Sequence, residues 1–381
     1  MVQIDFDKIA KCCYEFYDRN ILIKSKPAKN EWTNLAAILV TKDHINYKVL
    51  SMATGSKCLA EKQLPLNGSL VHDSHAEVLA RRCFNRFFLY FLLHIHLASG
   101  DSSIIPKSTS LKREHEDEET VIKRLKTDEN IDDIHRTGAK CVPNSLIQDP
   151  KEQGVLYHIT GVVRIKPGRG DPTISMSCSD KIAKWLVLGI QGALLSNLIK
   201  EPIYLDTIVI GKCPYSEESI QRGLIDRSKA YESHNSLYKL NIPIIGQSKL
   251  LFKDSKLAKN PEAKDNEDDS ELKACPNSVC WTYGIKTKPI FVLVKGLLQG
   301  ASLKNNKKNS TNYPPICKYS FFSNFKDILV KLGKDEMLIE KKYSFAKNLE
   351  LNYNQSKIEF FKIYSDWIRT NQEKYYSFTI E

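Results

Sequence analysis

Two short segments of the chain carry residues that could bind and use a metal ion. The first holds His75 and, two residues later, Glu77, and the second holds Cys178 between two serines. Zinc is bound in proteins by imidazole nitrogen and thiolate sulfur, and a catalytic zinc site keeps one position open for water. Glu77 would then act as a general acid and base rather than as a ligand. A lone buried cysteine or a lone histidine at a helix start is commoner as a packing residue, so the prediction depends on the two segments meeting.

Each segment is predicted to begin a helix. Ser74 has the character of an N-cap, with Glu77 at the third following position, so one helix is predicted over 75–88. A second helix, with an apolar body, is predicted over 180–199. The positive end of its dipole would favour the thiolate form of Cys178. The two helix ends could share one ion if the helices lie side by side against a sheet.

The rest of the pattern predicts an α/β protein with one domain over 1–381. A charged segment at about 108–135 is predicted to be a disordered insertion, and 254–273 a charged loop. Helical periodicity is predicted at 5–19 and 318–367, and strands are predicted at 32–41, 47–52, 155–166, 202–210 and 289–294.

The net charge and the cysteines indicate what kind of partner the protein binds and in which cellular compartment it is found. The net charge is +11 over 381 residues, which favours an anionic partner such as nucleic acid, although a merely basic soluble protein would show the same charge. None of the ten cysteines forms a Cys-x-x-Cys pair, so a closed structural zinc finger is not predicted. The apolar stretch 84–98 is too short to span a bilayer. We therefore expect a soluble protein of the nucleus, the cytoplasm or both, with no membrane contact and no evident partner protein.

Five blocks carry a resemblance to a known family. The segments that begin at Asp73, Arg136, Lys166, Ser175 and Gly211 read DSHAEVLARR, RTGAKCVP, KPGRGD, SMSCSDK and GKCPYS. In these segments the chain resembles the tRNA-specific adenosine deaminases that make inosine at position 37, and the resemblance covers nearly the whole chain. It implies a three-layer core like that of cytidine deaminases, a mixed sheet with helices on both faces, and helical additions at the C-terminal end.

The resemblance also implies an activity and its residues. The expected reaction is zinc-dependent hydrolytic deamination of adenosine 37 to inosine in alanine tRNA, with His75 and Cys178 as zinc ligands and Glu77 as the proton carrier. A free-nucleoside or cytidine deaminase is the weaker alternative, because the flanking blocks match the tRNA class. Candidate RNA contacts, which could equally be ordinary turns, are Ser56, Lys57, Lys140, Lys166 and Arg169.

One block departs from the family pattern. The family has Pro-Cys-Gly-Asp-Ala-Ser, whose cysteine is the second thiolate ligand, where this chain has Ala-Ser-Gly-Asp-Ser-Ser with Ser99 at the cysteine position. The block also follows His75 after a shorter interval than the family's. Three explanations stay open: an inactive tRNA-binding paralogue, an incomplete gene model, or replacement of the lost ligand by His94 or His96.

A buried inositol hexakisphosphate is a further implication of the resemblance. Lysines and tyrosines that recur ten residues apart in 343–357 fit such a site, although a solvated face would show the same spacing. The matching positions are Arg81, Arg82, Lys181, Lys184, Trp185, Gln191, Lys318, Tyr343, Lys347, Tyr353, Lys357 and Trp367.

Overall fold

The computed structural model of the chain describes residues 4–21, 25–94, 139–150, 159–167, 173–233, 235–260, 272–302 and 312–380. Ser99, Arg169 and His96 lie outside these residues. So do the predicted insertion at 108–135 and the first part of the strand predicted over 155–166.

The strands, numbered in chain order, are β1 Glu31–Trp32, β2 Leu35–Val40, β3 Lys48–Thr54, β4 Ser56–Cys58, β5 Asp73–His75, β6 Lys140–Cys141, β7 Arg164–Lys166, β8 Ser175–Met176, β9 Thr207–Ile210, β10 Ile244–Gln247, β11 Lys273–Ala274, β12 Asn277–Thr282, β13 Ile290–Val294 and β14 Leu297–Leu298. The α-helices are α1 Phe6–Asn20, α2 Ala76–His94, α3 Cys178–Leu188, α4 Gly192–Ser196, α5 Glu217–Leu224, α6 Lys256–Lys259, α7 Lys318–Lys331, α8 Tyr343–Asn348, α9 Leu351–Ile363 and α10 Gln372–Tyr376.

A five-stranded antiparallel sheet with the order β14-β13-β12-β3-β2 lies between helices. On one face Met52 packs in a cluster with Tyr17 of α1. On the other face the next residue, Ala53, packs in a cluster with Leu79 of α2 and Phe322 of α7. Successive side chains of a strand point to opposite faces, so the apolar run of β3 is buried on both sides. The predicted α/β class, with helices on both faces of the sheet and helices added after the core, is confirmed. The sheet was also predicted to be mixed, whereas its five strands pair antiparallel and the parallel pairs β1-β11 and β9-β10 form separate two-stranded sheets.

The two helices that carry the candidate ligands differ from the prediction at their ends. Ser74 is not an N-cap, because it lies in β5 and pairs with Lys57 of β4. The helix therefore starts at Ala76 and continues to His94. The predicted helix over 180–199 starts earlier, at Cys178, and is interrupted at Gly189, whose φ of 73° ends α3. Glycine adopts this left-handed conformation without the steric cost that a side chain brings.

Three further segments are shorter or more divided than predicted. In 202–210 only Thr207–Ile210 is a strand, paired in parallel with β10. The stretch 318–367 contains three helices, α7, α8 and α9. The predicted loop over 254–273 contains helix α6 and the first residue of strand β11. At the start of this segment the buried Asp254 carboxylate accepts a hydrogen bond from Tyr17 (3.0 Å) and forms an ion pair with Lys259 (3.1 Å).

None of the helices in the part of the chain that the structure describes combines the length and the apolar character needed to cross a membrane.

Candidate active site and the adjoining basic cluster

His75 is held by a carboxylate at the end of β5. The Asp73 carboxylate accepts hydrogen bonds from the His75 backbone nitrogen (3.0 Å) and from the ring nitrogen Nδ1 (2.7 Å). Both residues are buried. Because a carboxylate only accepts, the proton lies on Nδ1 and leaves Nε2 as the nitrogen with a free lone pair. Zinc-binding histidines are oriented by a carboxylate in this manner.

Asp73 also connects the histidine to helix α3. Its second oxygen accepts hydrogen bonds from the Ser175 hydroxyl (2.5 Å) and from the Lys181 ammonium. Lys181 donates to Ser175 as well, at 2.9 Å. Burial would raise the pKa of Asp73, but the charge of Lys181 and the hydrogen bond from His75 hold that pKa well below its ordinary value. Asp73 therefore stays ionised and fixes the orientation of the imidazole.

Cys178 is positioned by a buried network at the start of α3. Ser177 is the N-cap, and its hydroxyl donates to the fully buried Asp180 carboxylate at 2.6 Å. The same carboxylate accepts from the Arg164 backbone nitrogen of β7 (3.0 Å) and pairs with the Arg227 guanidinium (2.7 Å). Strand β7, the helix start and the segment after α5 are thereby joined directly beside the thiol.

Glu77 and Cys178 lie against each other. Burial raises the pKa of the Cys178 thiol to about 12, and the charge of Glu77 and a hydrogen bond with it act in the same direction. The predicted effect of the helix end, a favoured thiolate, is therefore outweighed. One oxygen of Glu77, Oε1, is buried and has no hydrogen-bond partner among the described residues. A buried oxygen of this kind is available for a water molecule or a substrate atom.

The ligand set in the described residues is incomplete for a catalytic zinc. No group of three histidine, cysteine, aspartate or glutamate side chains that could hold a metal ion occurs in the described part of the chain. His94 does not fill the missing place. It is exposed at the far end of α2, with its ring stacked on Tyr90 at 3.9 Å. At 1.5 Å per residue it lies roughly 27 Å along the helix from the end that follows His75.

The predicted RNA-contact residues lie on the strands that adjoin this site. Ser56 pairs directly with His75 across β4 and β5, and Lys57 beside it is exposed. The Ser56 hydroxyl oxygen is buried and unpaired in hydrogen bonds within the described residues, so it does not face a surface that RNA could touch. Lys140 pairs with Ile165 across β6 and β7, next to Lys166.

A cluster of half-buried cations is formed by side chains of helices α2, α3, α7, α8 and α9. Each cation lies over an aromatic ring: Arg81 over Trp185 (5.1 Å), Arg82 over Phe321 (5.0 Å), Lys184 over Trp367 (4.5 Å), Lys318 over Tyr376 (5.3 Å), Lys347 over Tyr376 (4.1 Å) and Tyr343 (5.7 Å), and Lys357 over Tyr353 (6.0 Å). Among the described residues, none of these six cations has a carboxylate within ion-pair distance, and Arg81 Nε and Arg82 Nη2 are buried without a hydrogen-bond partner. We call these six residues the basic cluster.

The cations of the basic cluster disfavour one another's charge. Burial, followed by the charges of Arg81 and Arg82, lowers the pKa of Lys347 to about 8. Burial and the charge of Lys347 lower the pKa of Lys357 to about 8. Burial, with Arg81 next, holds the pKa of Lys184 well below its ordinary value. A protein does not bury several unpaired cations without cost, so the arrangement calls for an anion of high charge.

Two residues predicted for this cluster have other roles. Lys181 is engaged with Asp73, on the side of His75. The Gln191 side chain is used internally, since it donates to the Leu188 carbonyl (2.9 Å) and accepts from the Ile203 nitrogen (3.0 Å). The sequence reasoning also missed two residues. Asp73 is the first residue of the segment DSHAEVLARR, and its position two residues before His75 is a signal that could have identified it. No local sequence pattern indicates Tyr376.

The comparison with protein families gives a match over most of the chain. The adenosine-deaminase (editase) domain matches residues 51–105 and 90–371. The chain therefore belongs to the adenosine-deaminase (editase) domain family. The two matched stretches overlap over 90–105, the segment in which Ser99 stands.

Three individual relatives show which members of this family the chain is similar to. The chain is 29% identical to tRNA-specific adenosine deaminase 1 of Homo sapiens, over 98% of this chain and 99% of that protein. It is 30% identical to tRNA-specific adenosine deaminase 1 of Drosophila melanogaster, over 91% and 90% respectively. The double-stranded RNA-specific editase Adar of Drosophila melanogaster is 28% identical over 95% of this chain but only 52% of its own length. The family predicted from the sequence blocks is confirmed.

Proposed function

We propose that this chain is a zinc-dependent adenosine deaminase that converts adenosine to inosine in tRNA, at position 37 beside the anticodon of alanine tRNA. The single observation that carries the proposal is the interaction of Glu77 with Cys178, two residues along the chain from the His75 that Asp73 orients. The match to tRNA-specific relatives over nearly the full length supports tRNA as the substrate.

The described residues offer two of the three protein ligands that a catalytic zinc ion needs. His75 offers Nε2, because Nδ1 is occupied by Asp73. Cys178, which interacts with Glu77, offers its sulfur, and a thiol whose pKa is raised by burial becomes a thiolate when a metal displaces its proton. In the family's sequence pattern Ser99 replaces the cysteine that would be the further ligand, and a neutral hydroxyl is a weaker zinc ligand than a thiolate. Bound there, zinc would make a water molecule acidic enough to lose a proton near neutral pH.

Glu77 performs the proton transfers of the reaction. Its Oε1 atom accepts a proton from the attacking water as the water oxygen bonds to C6 of adenine. The same carboxyl would donate that proton to N1 of the ring, then take the proton of the new C6 hydroxyl and pass it to the departing amino group, so that adenosine and water give inosine and ammonia. The target base must leave its stack to reach this buried position. Lys57, Lys140 and Lys166, on the neighbouring strands, would bind the flanking phosphates.

The substrate class is tested by offering purified protein three substrates: free adenosine, a double-stranded RNA, and an alanine tRNA transcript. We expect inosine from the tRNA alone, with Glu77→Gln as the inactive control. Deamination of free adenosine without the tRNA would overturn the proposal and favour a nucleoside deaminase.

A second function is favoured by Ser99. The chain could be a tRNA-binding relative that no longer deaminates, since a hydroxyl replaces the thiolate. Ser99→Cys separates the two functions. If the chain is an active deaminase, both forms contain zinc and make inosine, and the cysteine form retains zinc more tightly. If it is an inactive relative, the unsubstituted chain binds tRNA without making inosine.

We further propose that the basic cluster binds inositol hexakisphosphate. The residues that would hold it are those whose charges lack a carboxylate within the described structure, namely Arg81, Arg82, Lys184, Lys318, Lys347 and Lys357. Arginine and lysine bind phosphate as planar forks and as point charges respectively. Native protein would carry six phosphorus atoms for each molecule of ligand, by the composition of the compound. Phosphorus analysis of protein purified under native conditions tests this, and its absence would overturn the proposal.

A further inference from the structure

We propose that the gap between strands β2 and β9 binds an extended, apolar segment of a partner protein, which adds one strand between them. We call this gap the strand slot, and its two rims are the outer edges of Leu35–Val40 and Thr207–Ile210. Docking at the strand slot is independent of deamination, because none of the groups assigned to the reaction lies in β2 or β9.

Helix α1 covers both the five-stranded sheet and the pair β9-β10. Its Phe6 ring lies against Gly246 of β10, in the space that a Cβ atom on that residue would take. Its Phe16 ring packs edge-on against Trp281 of β12, at 4.5 Å. One face of a single helix thus contacts strands of both sheets, so the two sheets belong to one layer of the fold.

Helix α3 covers the same two sheets on the opposite face. Its Trp185 belongs to a cluster against which Ile38 of β2 and Leu205, which precedes β9, both pack. Its Leu186 lies in a second cluster, with Ile208 of β9. Strands β2 and β9 are therefore neighbours in one layer, although no hydrogen-bonded ladder joins them within the described residues.

The two rims of the strand slot are more exposed than the interior of the sheet. All four residues of β9 and the first five of β2 are half-buried, whereas six of the seven residues of β3 are fully buried. Both rims are apolar runs like those of strands inside a sheet. Neither contains a lysine or a proline, which commonly protect an exposed edge from pairing. The rims thus have the composition of interior strands but lack one neighbour among the strands that the structure describes.

The shape of the strand slot selects a single extended segment. Helices α1 and α3 close it on both faces, so a helix about 10 Å across cannot enter. The edge of another sheet could pair with one rim but not with both, because its own sheet occupies its other side. The occupant is therefore an extended segment, apolar on both faces, whose length is set by four residues in β9 and six in β2. Backbone hydrogen bonds to the rims would supply much of its affinity.

One end of the strand slot also favours a basic residue. Partial burial raises the pKa of Asp206, just before β9, whereas the nearby charge of His44, in the turn after β2, lowers it. The end of β2 and the start of β9 therefore lie close together. The Asp206 carboxylate has no ion-pair partner among the described residues. A lysine or arginine beside the apolar run of the incoming segment would form that ion pair.

Amide hydrogen exchange on the full chain tests the docking. The probe is a capped peptide of sequence Lys-Thr-Val-Ile-Val-Thr, and the control peptide has proline in place of isoleucine, because proline cannot donate a hydrogen bond to a rim. In the protein alone, we expect both rims to exchange faster than β3. The isoleucine peptide should slow exchange in both rims, and the proline peptide should leave it unchanged.

Asp206→Asn tests the charge at the end of the strand slot. We expect it to weaken binding of the labelled isoleucine peptide, measured by fluorescence anisotropy, by about two- to five-fold, the contribution of one exposed ion pair. Asp327→Asn, which changes an exposed acid of α7, is the matched control and should bind the peptide as the unsubstituted protein does. Equal binding by Asp206→Asn would overturn the role of the basic residue.

Three results of the exchange experiment would overturn the docking itself. Rims that are as protected as β3 in the protein alone would mean that the chain fills the strand slot itself. Rims that the isoleucine peptide leaves unchanged would mean that no added strand binds there. Protection that rises with protein concentration, without peptide, would assign the strand slot to a second copy of the chain.

Discussion

Replacing one lysine of the basic cluster should change stability in opposite directions with and without a polyanion. Lys347 has a folded-state pKa of about 8 against an ordinary 10.5, because burial and then Arg81 and Arg82 lower it. At about 1.4 kcal/mol per pH unit, keeping this charge in the ligand-free fold costs up to about 3 kcal/mol at pH 7. Lys347→Met removes that cost and also loses ring contacts of about 0.5–1 kcal/mol. We therefore expect Lys347→Met to raise the free energy of unfolding of ligand-free protein by about 2 kcal/mol at pH 7.

The pH dependence has a definite sign. The unfolded chain holds the Lys347 proton more tightly than the ligand-free fold, so the native state gains stability as the pH rises from 8 towards 10.5. The advantage of Lys347→Met should fade over the same interval. With inositol hexakisphosphate bound the order reverses, because the variant loses a charge-assisted contact of about 1.5–3 kcal/mol.

Urea unfolding followed by tryptophan fluorescence, at pH 7, 8, 9 and 10 and with or without the ligand, measures these differences. Lys331→Met, an exposed lysine of α7, is the control and should change little in any condition. A Lys347→Met protein that is less stable than the unsubstituted protein at pH 7 without ligand would refute the reasoning.

Three further predictions concern the candidate active site. Glu77→Gln should lower inosine formation at least a hundred-fold and leave tRNA affinity in filter binding unchanged, whereas equal loss of both would assign Glu77 a structural role. Asp73→Asn should weaken zinc affinity by about 10–100-fold in a competition with a chelator, because the imidazole loses its orienting carboxylate; unchanged affinity would contradict the geometry. Arg227→Met should lower the free energy of unfolding by about 3–5 kcal/mol in urea, since it leaves the Asp180 carboxylate buried and unpaired, and Arg227→Met with Asp180→Asn should lose less; equal losses would refute this.

The two segments that carry His75, Glu77 and Cys178 could be identified from the sequence, because the residues that mark each segment are close together along the chain. His75 and Glu77 lie two residues apart, and Cys178 begins a helix whose N-cap is a serine. Ser74 was wrongly predicted to be a helix N-cap, because its strand pairing with Lys57 of β4 is a tertiary contact that overrides the capping preference of serine. The break at Gly189 was missed because the apolar body of 180–199 continues through it.

The basic cluster could be predicted only in part. Lys347 and Lys357 showed a spacing, but the absence of a carboxylate partner within the described residues is a property of the folded chain. Tyr376 reaches the cluster through the packing of Phe378 on Tyr343, which no local pattern encodes. Lys181 was assigned to the cluster from the family resemblance, whereas the structure turns it towards Asp73.

The most direct test of the account is position-specific. Purified protein is incubated with an alanine tRNA transcript, and the product is reverse-transcribed and sequenced, because inosine is read as guanosine. We predict conversion of adenosine 37, with none in the Glu77→Gln protein. An unsubstituted chain that contains zinc, binds the transcript and leaves adenosine 37 unchanged would contradict the account.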